Sequence, residues 1–91
     1  MKSNLSVKDV EGPWLGDSPT GLTQRCKDYW DTPINELSDL MLSTYLNQNI
    51  AIKSVLLEAE NRINTGKLDD TELYDGQLLE SIERIKQNVE N

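Results

Sequence analysis

Apolar residues return at helical spacing in four stretches of this chain. The first stretch covers about residues 21–30, where Leu22, Cys26 and then Tyr29 or Trp30 lie four and three positions apart. That spacing places them on one face of a helix. Because the opposite positions are polar, this helix is expected to rest against a core on one side only.

Two further helices are predicted over about residues 39–47 and 50–64. Ser38 stands where an N-cap is expected, and the asparagine-rich residues 47–49 allow the left-handed geometry of a helix exit. Gly66 is the corresponding exit residue of the next helix. The apolar positions are Met41, Leu42, Tyr45 and Leu46 in one helix, and Ile52, Val55, Leu56, Ala59 and Ile63 in the other.

The fourth helix is predicted over about residues 76–88. Asp75 precedes it and can accept hydrogen bonds from the free backbone N–H groups of the first turn. Leu78 and Leu79 are expected to enter the core, together with Ile82 and Ile85 farther along.

No stretch of useful length alternates apolar and polar residues as a strand does. The pattern therefore predicts an all-α fold, a small single-domain bundle of about four helices with an irregular N-terminal arm. Residues 1–91 form one domain in this reading, with 1–20 as the arm and 21–88 as the helical core. The arm is rich in glycine and proline, and Trp14 and Leu15 are expected to pack it onto the helices.

Charge narrows the possible partners. The 91 residues carry a net charge of −7 and are 36% hydrophobic. Nucleic acid and anionic membranes select basic surfaces, so neither is an expected partner. No apolar run approaches the ~20 residues of a transmembrane helix. An acidic chain fits a basic protein partner, and it fits equally well a surface that is simply solvated.

The sequence offers little for catalysis. Cys26 is the single cysteine and the chain has no histidine, which excludes a Cys/His nucleophile. A lone cysteine usually behaves as a small buried apolar residue, and its use here fits a reducing cytoplasm. The carboxylates at residues 69–75 lack the spacing of a calcium loop. We therefore expect no enzyme activity, no cofactor and no metal, and keep a carboxylate-dependent hydrolase only as a remote alternative.

Negative charge is concentrated in the second half of the chain. From Val55 to Glu83 there are eight acidic residues against Arg62 and Lys67 alone. A field of this kind speeds the encounter with a basic partner. The same residues would also make an ordinary solvated face, and the sequence physics alone leaves the two readings about even.

Five short pieces of the chain form a pattern through their order and separation. They are Arg25-Cys26, Pro33-Ile34-Asn35-Glu36-Leu37-Ser38, Gln48-Asn49-Ile50, Ala59 and Tyr74-Asp75-Gly76-Gln77-Leu78-Leu79. With these pieces the chain resembles the small immunity proteins of bacterial contact-dependent growth inhibition systems, and the similarity covers about residues 22–85. The chain departs from that pattern at Ala51, where the family has glycine, at Leu57, where it commonly has proline, and at Gln77, where it has aspartate.

The resemblance implies a function. Such proteins bind the C-terminal toxin domain that a neighbouring cell delivers, often a nuclease with a basic substrate channel, and block it. Carboxylates can occupy the place of substrate phosphates in such a channel. The residues expected to bind the toxin are Asp69, Asp70, Glu72 and Tyr74, followed by Glu58, Glu60 and Glu80. The alternative is an acidic helical adaptor or regulatory subunit for another basic protein.

Overall fold

Helices make up most of the described part of the chain, which confirms the all-α prediction. The structure, a computed structural model, describes residues 5–14, 16, 21–69, 71 and 76–89. In chain order the elements are α1 (Val7–Glu11), α2 (Gly21–Asp28), a 3-10 turn (Ile34–Glu36), α3 (Asp39–Asn47), α4 (Ile52–Thr65) and α5 (Gln77–Val89). Within those ranges the only extended pairing is a single bridge between Ser6 and Pro33. None of the helices described is both long enough and apolar enough to cross a membrane.

Helix α3 is the central element of the core. Residues 41–46 are all buried, and α3 packs against both α4 and α5. Because α3 is buried on several sides, its polar side chains need hydrogen-bond partners. An unpaired buried hydroxyl would destabilise the fold. Ser43 meets that need with a 2.7 Å hydrogen bond between its Oγ and the Oγ of Ser81 on α5.

The connection from α3 to α4 turns through left-handed backbone. Asn49 has a φ of 59° and Ala51 a φ of 48°, so the predicted asparagine exit is confirmed. Ala51 is a less usual occupant, because its Cβ disfavours this region. The Ala51 N–H donates to the Glu11 carboxylate over 2.8 Å, which ties the turn to the N-terminal arm.

The N-terminal arm contains a helix that the apolar pattern did not predict. Helix α1 has only five residues and begins with a capping box, in which Ser6 and Asp9 each accept a hydrogen bond from the other's backbone N–H. Val7 is fully buried. A five-residue helix is too short to show a 3.6-residue period, so local capping is the only signal that it gives in the sequence.

The two tryptophans join the arm to the bundle. The rings of Trp14 and Trp30 meet edge to face, with centroids 4.8 Å apart. The Trp30 indole N–H donates to the Gly12 carbonyl over 2.7 Å. The predicted packing of Trp14 on the helices is therefore confirmed, while its neighbour Leu15 lies outside the described residues.

One predicted core position is wrong. Leu79 is 42% exposed, whereas Leu78 beside it is fully buried. Adjacent helical residues point about 100° apart, and α5 faces the core through Leu78, Ile82 and Ile85. Leu79 therefore lies at the margin of the packed face. Leu22 and Tyr29 are likewise partly exposed, so Cys26 is the residue that α2 buries.

Candidate partner-binding surface

A buried arginine organises the acidic part of the surface. The Arg62 guanidinium lies 2.9 Å from the Asp39 carboxylate and 2.8 Å from the Glu58 carboxylate. It also donates to the Asn35 carbonyl over 3.2 Å, and Asp69 lies at 4.0 Å. Asp39 is fully buried and Arg62 is only 8% exposed. This arginine cluster, formed by Asp39, Glu58, Arg62 and Asp69, joins the start of α3 to α4 and to the segment that follows α4.

Helix geometry places each member of the arginine cluster. Glu58 and Arg62 are one turn apart on α4, which is the spacing that brings opposite charges together. Asp39 is the first residue of α3, where the positive end of the helix dipole favours a carboxylate. The turn at Ile34–Glu36 supplies the backbone carbonyl of Asn35 as a further acceptor.

The first part of the predicted acidic segment caps α3. The Asp69 carboxylate accepts from the Asp39 N–H at 3.1 Å, and the Asp39 carboxylate accepts from the Asp69 N–H at 2.7 Å. The Leu40 N–H donates to the Thr71 hydroxyl over 3.0 Å, and the Met41 N–H donates to Ser38, the predicted N-cap, over 3.1 Å. The otherwise free N–H groups of the first turn are thus satisfied.

Two members of the arginine cluster, Arg62 and Asp69, have shifted pKa values. Burial acts to raise the pKa of the Asp69 carboxyl, but hydrogen bonds from Thr71 and from Asp39 outweigh it and hold the pKa below its usual value. Burial acts to lower the pKa of the Arg62 guanidinium, but bonding to Glu58 and Asp39 raises it. Three carboxylates therefore share one cation. In the part of the chain described, no group of acidic or thiol side chains is arranged to hold a metal ion.

The residues predicted to bind the toxin fall into three groups. Asp69 and Glu58 come together around Arg62. Glu60 pairs instead with Lys86, and Glu80 is exposed on the first turn of α5, where it lines a hollow with Glu83, Arg84 and others. Asp70, Glu72 and Tyr74, as well as the predicted cap Asp75, lie outside the described residues.

Two neighbouring hollows have Glu58 in their walls. The first, with a volume of about 360 Å³, opens between the arm, the 3-10 turn and α4. Its walls are Leu5, Ile34, Asn35, Ser54, Leu57, Glu58 and Asn61. The second, also about 360 Å³, shares Asn35, Glu58 and Asn61 and extends toward Lys67 and Asp69. We call the first hollow the Leu57 groove.

Sequence reasoning missed two features of this surface. Asp39 was not foreseen as a partner of Arg62, because two residues 23 positions apart give no local signal. Leu57 was noted only as a departure from the family pattern. The signal for Leu57 was present, since it lies off the apolar face that the other residues of α4 define, and in the structure it is 72% exposed.

The single cysteine has the structural role that was predicted. Cys26 is buried, and burial raises the pKa of its thiol. Its backbone carbonyl accepts a 2.7 Å hydrogen bond from the buried hydroxyl of Tyr45. A thiol with a raised pKa is a poor nucleophile, because the thiolate is the reactive form. The residue therefore serves packing between α2 and α3.

Comparison with known proteins identified no relative of this chain. The chain matches no protein-family model, no curated protein and no solved structure.

Proposed function

We propose that this chain is a non-catalytic binding protein that neutralises a basic partner, the C-terminal toxin domain of a contact-dependent growth inhibition effector. In this proposal it acts in the bacterial cytoplasm and protects the cell that makes it. The toxin is a nuclease whose cationic substrate channel accepts carboxylates in place of phosphates. An acidic adaptor for another basic protein is the alternative.

The observation that carries the proposal is the unbalanced charge of the arginine cluster. Three carboxylates surround one guanidinium, which leaves two negative charges in excess. Asp39 is completely buried and paired with Arg62 at 2.9 Å, so the excess negative charge lies on Glu58 and Asp69, whose side chains are 20% and 39% exposed. The chain continues from Asp69 directly into Asp70 and Glu72, so further negative charge follows in sequence.

The backbone at Ala51 adds support for the resemblance. The immunity proteins that the chain resembles carry glycine after Gln-Asn-Ile. Ala51 adopts a φ of 48°, a region in which glycine is the residue with no steric cost. A glycine, as in the family pattern, would adopt this backbone without strain, whereas this chain has alanine.

Co-expression with the effector gene directly upstream tests the proposal. The tagged C-terminal domain of that effector should co-purify with this chain, and cells carrying both should outgrow cells carrying the toxin domain alone. Replacing Asp70 and Glu72 together by lysine should abolish protection. The matched control is Asp28→Lys with Asp31→Lys, which changes the net charge equally at exposed sites near the end of α2.

The outcomes separate the two candidate functions. Loss of protection in the Asp70/Glu72 variant alone supports the toxin-binding role of that segment. Equal effects of the two double variants would show that only overall charge matters. Absence of any complex with the effector domain would remove the toxin proposal, and recovery of a different basic protein would favour the adaptor.

A further inference from the structure

The Leu57 groove combines an apolar wall with unused hydrogen-bonding groups. Leu57 is 72% exposed and Leu5 is 53% exposed, and the two face the same hollow. They are the two most exposed large hydrophobic residues in the described part of the chain. Exposed apolar surface that is gathered in one place and edged with polar groups is typical of an interaction site.

The polar wall of the Leu57 groove contains groups that could form further hydrogen bonds. The side chains of Asn35, Ser54 and Asn61 line the groove, and none of them has a hydrogen-bond partner among the described residues. Glu58 gives one carboxylate oxygen to Arg62 over 2.8 Å, and its other oxygen makes no such bond within the same part of the chain. The wall therefore presents a carboxylate oxygen and two side-chain amides close to apolar surface.

Charge decides what kind of side chain fits this wall. Glu58 belongs to the arginine cluster, in which three carboxylates share one cation. An acidic side chain would be repelled there, and a purely apolar one would leave the acceptors without donors. A side chain with an apolar stem and a cationic head that carries several donors would satisfy both walls.

We propose that the Leu57 groove receives one arginine side chain of the basic partner. The methylene stem of that arginine packs on Leu57, Leu5 and Ile34. Its guanidinium donates to the free Glu58 oxygen and to the amide oxygens of Asn35 and Asn61. Arginine suits the site better than lysine because its planar fork offers five donors and is more weakly hydrated than an ammonium group. This inference rests on the proposed function, since it presumes a cationic protein partner.

The groove is tested by comparing two exposed leucines. Wild-type chain, Leu57→Ser and Leu79→Ser are each titrated into the effector's C-terminal toxin domain, and Kd is measured by calorimetry. Leu79 is a matched control, because it is 42% exposed and lines a different hollow with Glu60 and Lys86. Circular dichroism melting shows that each variant is folded.

Leu57→Ser should weaken binding by about tenfold or more, as expected when a buried leucine contact is lost. Leu79→Ser should change Kd by less than about twofold. If Leu57→Ser binds with wild-type affinity, or if both variants lose affinity equally, the Leu57 groove is not a binding site for the partner. Either result would leave the proposed function standing. Failure of the wild-type chain to bind the toxin domain would overturn both.

A double-mutant cycle identifies the occupant. Each exposed arginine of the toxin domain is replaced by glutamine in turn. The Kd of every toxin variant is then measured with the wild-type chain and with Leu57→Ser. Replacing one of these arginines should raise the Kd for the wild-type chain by about tenfold or more. The same replacement should change the Kd for Leu57→Ser only a little. If no arginine is coupled to Leu57, or if a lysine is coupled instead, the assignment of an arginine to the groove is wrong.

Discussion

At the scale of single residues, Arg62 is the cation that three carboxylates share. It is nearly buried and holds the fully buried carboxylate of Asp39 at 2.9 Å. Removing one member of a buried ion pair costs more than the pair contributes, because the remaining charge stays buried without a partner. Arg62 should therefore tolerate substitution poorly, although it is a charged residue on the buried face of α4, beside Ala59.

Arg62→Met should lower the free energy of unfolding by about 3–5 kcal/mol, the range seen when a buried pair is broken. Glu58→Gln is the control, because Glu58 is the more exposed partner and glutamine keeps an acceptor. Glu58→Gln should lower the free energy of unfolding by about 1 kcal/mol. Urea unfolding of both variants measures the difference, and similar losses would show that the Asp39 pair is not the dominant contact.

Asp69 has a role that the sequence did not suggest. It was predicted to bind the partner, and in the structure its carboxylate accepts from the backbone of α3. A charge reversal at Asp69 would therefore disturb the fold and cannot report on binding alone. For this reason the experiment on the acidic segment uses Asp70 and Glu72 instead.

The lowered pKa of Asp69 predicts a dependence of stability on pH. A carboxyl whose pKa is lower in the folded than in the unfolded state stabilises the fold above its unfolded-state pKa, near 4. That contribution is lost as the pH falls through the lower folded-state pKa. Asp69→Asn should therefore be less stable than the wild type at neutral pH and approach it in acid.

Melting temperatures of the wild type and Asp69→Asn, measured from pH 7 down to about pH 2, check this expectation. Arg62 and Asp39 are the charged groups that face Asp69, so Arg62→Met serves as a second background. A constant gap between wild type and Asp69→Asn at every pH would show that the Asp69 carboxylate gains nothing from folding.

At the scale of elements, the four long helices follow closely from the spacing of apolar residues. The prediction for α3, residues 39–47, has the observed bounds, and α4 and α5 differ from prediction by one or two residues. Strong periodicity and clear caps such as Ser38 and Gly66 explain this agreement. The five-residue helix α1 has neither a long period nor an apolar face, and its capping box and tertiary contacts such as buried Val7 hold it in place.

The candidate surface was less predictable than the helices. The sequence showed that the acids are concentrated, but it could not show which of them already have partners inside the molecule. Glu60 pairs with Lys86 and Asp69 caps α3, and both contacts depend on how distant elements pack. The distribution of charge along the sequence predicts an electrostatic field. Only the folded structure shows which acidic side chains lack a partner inside the molecule and could contact another protein.

The packed face of α5 gives a test at this scale. Leu78→Ala should lower the free energy of unfolding by about 2–5 kcal/mol, as truncation of a buried leucine does. Leu79→Ala should cost less than about 1 kcal/mol, because its side chain is 42% exposed and alanine favours a helix. Chemical denaturation of the two variants measures both values. A larger loss at Leu79 than at Leu78 would mean that α5 is rotated relative to the fold described.

At the scale of the whole molecule, an acidic chain carries a surface of mixed chemistry. A net charge of −7 would attract a basic partner at long range, and the proposed site in the Leu57 groove would add short-range contacts to a cationic side chain. The two contributions respond differently to salt. Screening weakens attraction between exposed charges and leaves apolar contacts in place.

The salt dependence of binding tests the central claim most directly. Kd of this chain for the upstream effector's C-terminal domain is measured from about 0.1 M to about 1 M NaCl, over which the Debye length falls from about 10 Å to about 3 Å. If the chain acts by binding a cationic protein surface, Kd should rise by about tenfold or more across this range. A Kd that does not change with salt would contradict the claim.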